Sequence, residues 1–382
     1  MMRPMKLAGS ELMFGEGCLE YIKTIPAKKV SIVIGGKSME RSGILGKVED
    51  YFKEAGAVTD VISGVEPDPS FETVMKGAAR MLEFEPDLIV GLGGGSAMDA
   101  AKAMWIFYEH PEFKKMEDVL PPNAFPKLRG KARMCCIPST SGTASEVSRS
   151  IVISDNETGL KHGLGNMEMM PDIAICDPEV TLSMPAKITA ETGMDALTHA
   201  LEALASTRAN YVSDILATQA ALDIMEYLPK ACENGQDMKA REMMIQASMV
   251  AGMAFTNVSL GIVHSMAHTI GGVFHVSHGL ADAILLPYVI RYNSADERAK
   301  NVYGAFAEKA GVSELADAIE KLNETLNIPK CFREIIADEE AFMGKLDEMA
   351  SLALADGCTK TNPVIPDVDG FKQLFIKAYK GE

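Results

Sequence analysis

The sequence predicts an α/β dinucleotide-binding half, built on a parallel sheet flanked by helices, joined to an all-helical half. Three observations carry that expectation. The first third alternates short β-branched runs with helix-length segments, the stretch from Asp87 to Lys102 reads as a buried strand, a glycine-dense turn and a helix, and beyond Pro185 Ala- and Met-rich helical periodicity replaces the strand-type runs. With 382 residues the chain has room for about two full-sized cores. The change of texture at 178–185 divides it into an α/β domain, 1–180, and a helical domain, 181–382.

In order, 29–34 is a strand closing on Gly35 and Gly36, 41–55 a polar helix ending at Gly56, and 57–62 a second strand. Pro67, Pro69 and Ser70 set up a helix through about Glu83. The next strand, 88–90, meets Gly91 and Gly93 to Gly95, and Ser96 is read as opening a helix with Asp99 as a shortened capping-box acid. The free amides of such a helix end favour anions, and glycines let a phosphate come close, so the turn is a candidate phosphate cradle. Its Gly-x-Gly-x-x-Ser pattern falls short of the common dinucleotide fingerprint at one residue, the last, and no P-loop lysine follows. An ordinary tight turn fits the spacing equally well.

The strand 134–137 leads into Pro138 to Ser145, dense in hydroxyls, and 150–154 and 173–176 read as further strands. Helix-length segments between strands call for parallel pairing through right-handed crossovers. After the prolines at 178 and 185 come the helical stretches 190–205, 211–228 and 239–255. The 25 methionines fall mostly on helical faces and read as adaptable core filler.

Composition narrows the function classes. A chain that is 47% hydrophobic and 24% charged is a globular protein, and a net charge of −16 disfavours nucleic acid and anionic membrane surfaces as partners. The apolar runs are too short and broken for a membrane span, and the first residues lack a secretory pattern. Seven scattered cysteines without a Cys-x-x-Cys pair suit a reducing compartment, so a cytoplasmic location is expected.

Six of the seven histidines lie beyond residue 161, five of them between 199 and 278, and that clustering needs a cause. Asp195 and His199 are four apart and share a helix face; His264 and His268 repeat the spacing, and His275 and His278 follow a glycine break. A lone histidine beside apolar residues is usually a satisfied core residue. Two such pairs beside an Asp/His pair favour a divalent first-row metal such as iron(II) or zinc. Spacing alone leaves open which histidines would be ligands.

The motifs Gly93-Gly-Gly-Ser-Ala-Met-Asp-Ala-Ala-Lys102, Ile137-Pro-Ser-Thr-Ser-Gly-Thr-Ala-Ser-Glu-Val147, Gly193-Met-Asp-Ala-Leu-Thr-His-Ala-Leu-Glu202, His264-Ser-Met-Ala-His268 and His278-Gly-Leu-Ala-Asp-Ala-Ile-Leu-Leu-Pro287 together resemble the iron-containing, group III alcohol dehydrogenases. The likeness runs through essentially the whole chain and leans toward the NADP(H)-dependent butanol dehydrogenase-like branch. It implies one divalent metal, iron(II) with zinc as the substitute, in a cleft between the domains on Asp195, His199, His264 and His278. His268 becomes the proton-relay candidate, and His275 has no family role. The cofactor pyrophosphate is expected on Gly94, Gly95 and Ser96, with Asp99, Ser139, Thr140, Thr143 and Lys161 also in the cofactor site. Ser150, Phe255 and Cys358 match substrate-pocket positions.

The resemblance implies interconversion of a small primary alcohol and its aldehyde by a homodimer or higher homo-oligomer. NADP(H) is expected over NAD(H) because Gly36 stands where NAD-selective members carry an Asp, with Lys37 and Ser38 able to meet a 2′-phosphate. A zinc-dependent glycerol or polyol dehydrogenase of the same superfamily and a non-catalytic metal- or dinucleotide-binding protein are the competing readings.

Overall fold

The computed structural model describes residues 4–154 and 161–382, the side chains of Lys161 and His162 excepted. The chain forms two compact units, 1–184 and 185–382.

The first unit carries strands β1 (Glu11–Phe14), β2 (Lys29–Ile34), β3 (Val58–Ile62), β4 (Leu88–Gly93), β5 (Arg133–Pro138), β6 (Ser150–Ser154), β7 (Lys161–Gly165) and β8 (Ile173–Cys176). Its helices are α1 (Ser38–Arg41), α2 (Ile44–Glu54), α3 (Phe71–Phe84) and α4 (Gly95–Glu109). Six strands form one sheet in the order β1-β8-β5-β4-β2-β3, every pair parallel; β6 and β7 form a separate antiparallel hairpin. The central strands are buried on both faces, which explains their near-continuous apolar runs. Val30, Ile32, Leu88, Val90, Leu92, Cys135 and Ile137 pack on one side with α2, while Val33, Ile89, Met134 and Cys136 pack on the other with α3 and α4. α4 is buried along most of its length, including Trp105 and Phe107, so it carries little amphipathic signal.

Two local expectations change. The polar helix foreseen over 41–55 is broken into α1 and α2 by Gly43, at φ 78°. The helix after the glycine turn begins at Gly95, and its flanking residue Gly94 makes no side-chain cap bond. Asp99 does not cap it: its two oxygens accept from the Ser145 hydroxyl (2.6 Å) and the Val152 amide (3.0 Å). The amide end of α4 is therefore left open, and Asp99 ties the helix to the segment after β5.

The second unit consists of α5 (Ala186–Ala205), α6 (Tyr211–Glu233), α7 (Met238–Val258), α8 (Ile262–Phe274), α9 (His278–Asn293), α10 (Glu297–Ala310), α11 (Leu315–Thr325), α12 (Glu339–Gly344), α13 (Leu346–Ala355) and α14 (Val368–Lys380), with no strand among its described residues. α5 is buried from Ala190 to Ala205 apart from Thr192 and packs against α6, α7 and α9. Among the described residues no single helix is long and apolar enough to cross a membrane.

The approach of α9 to α5 depends on Gly279. A Cβ there would overlap the backbone carbonyl oxygen of Glu191 and lie 3.4 Å from the Asp195 Cβ. Backbone cannot yield as a flexible side chain can, so Gly279→Ala is expected to lower unfolding free energy by about 2 kcal/mol or more. Denaturant unfolding read by circular dichroism checks it; a wild-type midpoint would mean that the helices separate at no cost.

Candidate metal centre and cofactor cradle

In the second unit, α5 sets Asp195, His199 and Glu202 on one helical face, one turn after another. α8 contributes His264 and His268, also one turn apart, and α9 begins at His278 and carries Asp282 one turn later. Asp195, His264, His278 and Asp282 bring one donor atom each to within 4.8 Å of all the others. His264 Nε2 lies 3.6 Å from Asp195 Oδ1 and 4.0 Å from Asp282 Oδ2, and His278 Nε2 lies 3.8 Å and 3.2 Å from the same two atoms. Asp195 Oδ1, His264 Nε2 and both Asp282 oxygens are buried without a hydrogen-bond partner. Buried polar atoms that converge at ion-pair distance without hydrogen-bonding one another are costly unless a cation joins them, so the donors fit a divalent metal.

The expected ligand His199 stands beside this group, with Nδ1 3.5 Å from Asp195 Oδ1 and its ring stacked on His264 at 4.5 Å and on Phe255 at 4.3 Å. Asp282 completes the group and was passed over in the sequence. Its signal was a second Asp/His pair at one-turn spacing, His278/Asp282, inside a motif read only for its histidine. Glu202 was missed for the same reason. Its Oε2 lies 2.6 Å from His264 Nδ1, and its Oε1 accepts from the Val263 amide at 2.7 Å. A carboxylate behind Nδ1 fixes the tautomer that turns Nε2 toward the donors.

Burial and mutual charge move the titration of these donors in different directions. Burial pushes the Asp282 carboxyl well above its ordinary range against the pull of His264, and the Asp195 and Glu202 charges add to the rise. Burial also works against charge on Asp195, but His199 and close contact with His264 outweigh it and hold that carboxyl low. His264 is driven well above the usual imidazole range, because Asp282, Glu202 and Asp195 overcome the burial that opposes its charge. Burial and the neighbouring imidazoles press His278 the opposite way. A divalent cation among these donors would favour their deprotonated forms.

His268 stays outside the four-donor group. Its Nδ1 lies 2.9 Å from Asp356 Oδ2, and its ring stacks on His278 at 5.3 Å. Asp356 also accepts from the Ser265 hydroxyl and the Cys358 amide, placing Cys358 in the same neighbourhood. Phe255 is likewise in this unit, against His199. Ser150 belongs to β6 of the first unit, where its carbonyl accepts from Lys102 Nζ at 3.3 Å. His275 ends α8 in the left-handed conformation, exposed.

In the first unit the cofactor expectations gather at the carboxyl ends of β2, β4 and β5. The chain leaves β2 toward β3 on one side and returns to β4 on the other, so a crevice opens between β2 and β4 at a topological switch point, where such sheets bind ligands. Gly36, Lys37 and Ser38 follow β2 and are exposed, and Gly94, Gly95 and Ser96 follow β4. A Cβ on Gly95 would come within 2.6 Å of Thr143 Cγ2, and one on Gly94 within 3.4 Å of Thr140 Cγ2. The glycines thus admit the hydroxyl-rich segment after β5, whose Ser139 amide bonds Gly93 O at 2.8 Å. Thr140 Oγ1 and Ser141 Oγ are buried without partners. With the uncapped end of α4 they form a cradle of donors suited to a phosphate. Asp99, expected in this set, accepts from the Ser145 hydroxyl and the Val152 amide and so braces the start of α4 beside the cradle. Lys161 begins β7, but its side chain lies outside the described residues.

Residues 9–178 match the iron-containing alcohol dehydrogenase model, and residues 189–379 match the C-terminal model of the Fe-containing alcohol dehydrogenase family. The chain belongs to the iron-containing alcohol dehydrogenase family. It is 46% identical over 380 residues to an NADPH-dependent butanol dehydrogenase of Clostridium saccharobutylicum, covering 97% of both chains. It is 37% identical over 377 residues to a 1-propanol dehydrogenase of Citrobacter freundii, covering 96% of this chain and 97% of that one. The structure of the iron-containing alcohol dehydrogenase from Thermococcus thioreducens superposes with a TM-score of 0.92 at 35% identity, over 99% of this chain and all of the other. As a member of this family the protein is an oxidoreductase.

Glu202 gives the site a direct test. Glu202→Gln keeps the shape but removes the charge behind His264, and metal affinity is expected to fall about 10- to 100-fold. Competition with a chelator of known strength measures it; unchanged affinity would reduce Glu202 to a support for the start of α8.

Proposed function

We propose that this iron-containing alcohol dehydrogenase interconverts a small primary alcohol and its aldehyde with NADP(H). The observation that carries the reading is the convergence of buried, unpartnered donors from α5, α8 and α9 on one point. Asp195, His264 and His278 would hold an iron(II) ion, with His199, adjacent to Asp195 and stacked on His264, as the further ligand. Such a metal would supply Lewis acidity toward an alcohol or carbonyl oxygen, and a bound nicotinamide would supply or accept the hydride. The relatives named for butanol and 1-propanol support a short, primary substrate.

The protein's own part is to orient and to move a proton. Asp356 holds His268 Nδ1 and thereby presents Nε2 as the atom that exchanges the hydroxyl proton. Phe255 and Cys358 would border the substrate in this unit, and Ser150 is the candidate from the first. Gly94, Gly95, Ser96, Ser139, Thr140 and Thr143 would carry the pyrophosphate, with Lys161 a candidate beside them. The cofactor preference rests on Gly36, Lys37 and Ser38, which offer an amide, a charge and a hydroxyl without a repelling carboxylate. A cytoplasmic homo-oligomer completes the proposal, in keeping with seven free thiols.

Steady-state kcat/KM for short alcohols, aldehydes and glycerol with both cofactors tests the activity. NADP(H) with a short primary alcohol or its aldehyde should be preferred; preference for glycerol would point to a polyol dehydrogenase. A Cβ at Gly36 meets nothing within 4 Å, so Gly36→Asp should fold normally and move the cofactor ratio toward NAD. A ratio that does not move removes Gly36 from the specificity argument. For the metal, anaerobically purified protein should hold about one equivalent per chain, and His264→Ala should lose most of it. His268→Ala should keep the metal while kcat falls; loss of metal there would make His268 a ligand.

A further inference from the structure

We propose that Asp282 is itself a metal ligand, a second carboxylate donor beside Asp195, so that this chain's metal rests on two carboxylates as well as its imidazoles. The inference rests on the metal reading above and extends it to a residue outside the expected ligand set. Asp282 is fully buried, and neither of its oxygens has a hydrogen-bond partner. A carboxylate kept in a helix interior for structural reasons is ordinarily hydrogen-bonded, whereas Asp282 meets its neighbours only at ion-pair separations. The contrast stands in the same unit, where Glu202 spends both oxygens on Val263 and His264. Asp282 instead faces His278 Nε2 at 3.2 Å and His264 Nε2 at 4.0 Å.

Those separations suit ligation. Metal–ligand bonds of about 2.0–2.2 Å set tetrahedral donors ~3.4 Å apart and neighbouring octahedral donors ~3.0 Å apart. Of the four described separations, 3.2 Å lies between these two values, and 3.6, 3.8 and 4.0 Å lie above the tetrahedral one, within reach of donors that draw in around an ion. Placement is also favourable: Asp282 is one turn beyond His278, so α9 offers both donors from the same face, as α5 does with Asp195 and His199. Two carboxylates balance the charge of a divalent ion, and the added oxygen donor shifts preference toward iron(II) and manganese(II) relative to a site richer in imidazole.

The test is metal binding by the full-length protein, read without turnover. Cobalt(II) and iron(II) affinities are measured anaerobically by chelator competition, and the visible ligand-field bands of the cobalt(II) form are recorded. Asp282→Asn, nearly isosteric and breaking no hydrogen bond, should bind both metals at least about tenfold more weakly and show altered cobalt bands. Wild-type affinity and wild-type bands in that variant overturn the proposal and leave the metal reading intact. A weaker affinity with unchanged bands also overturns it, because Asp282 then acts through another ligand. A wild-type protein that binds neither metal overturns both. Asp282→Cys supplies a positive signal should the Asn variant fold poorly. A thiolate at this position should add a near-ultraviolet sulfur-to-cobalt charge-transfer band absent from wild type; stoichiometric cobalt without that band overturns ligation.

Discussion

The constraint on which the helical unit depends is the burial of three carboxylates, Asp195, Glu202 and Asp282, around His264. An ionised carboxylate taken out of water costs several kcal/mol unless it is paired and hydrogen-bonded. Glu202 is paired; Asp195 and Asp282 each keep an unpartnered oxygen turned toward the same point. Helix packing alone would be better served by apolar side chains there. The surrounding order makes sense as support for that cost: α5 buried along most of its length, Gly279 bringing α9 up to α5, and Asn362 with Glu202 satisfying the first amides of α8.

The first unit solves a different problem by similar means. A phosphate needs amides and hydroxyls at close range with no side chain between, and this chain provides them by leaving things out. Gly94 and Gly95 carry no Cβ, the end of α4 has no capping side chain, and Thr140 and Ser141 have hydroxyls without partners. The positions that would ordinarily stabilise a helix start are surrendered, and Asp99 works one turn further in, bracing α4 against the chain after β5.

Legibility in the sequence followed periodicity and chemistry type. The central parallel strands were readable because burial on both faces gives near-continuous apolar runs, and the edge strand β3 because it is rich in β-branched residues, whereas β1 has four half-buried or exposed residues and none that is β-branched. Histidines clustered in sequence announced a metal because that residue is uncommon and its pairs recur at one-turn spacing. Asp282 and Glu202 were illegible because acidic residues on helices are ordinarily solvated. Only packing shows that one of them has two stranded oxygens and the other none. Asp99 was misjudged for the opposite reason: its position matched a capping pattern, and a tertiary partner 46 residues away decided its role.

The double use of Glu202 links two events that are separate in most binding sites. One carboxylate holds both the imidazole ring of His264 and the backbone that begins α8, so the ring cannot swing away while that helix end remains wound. The orientation of the ring and the winding of the first turn of α8 are therefore one property of the chain rather than two.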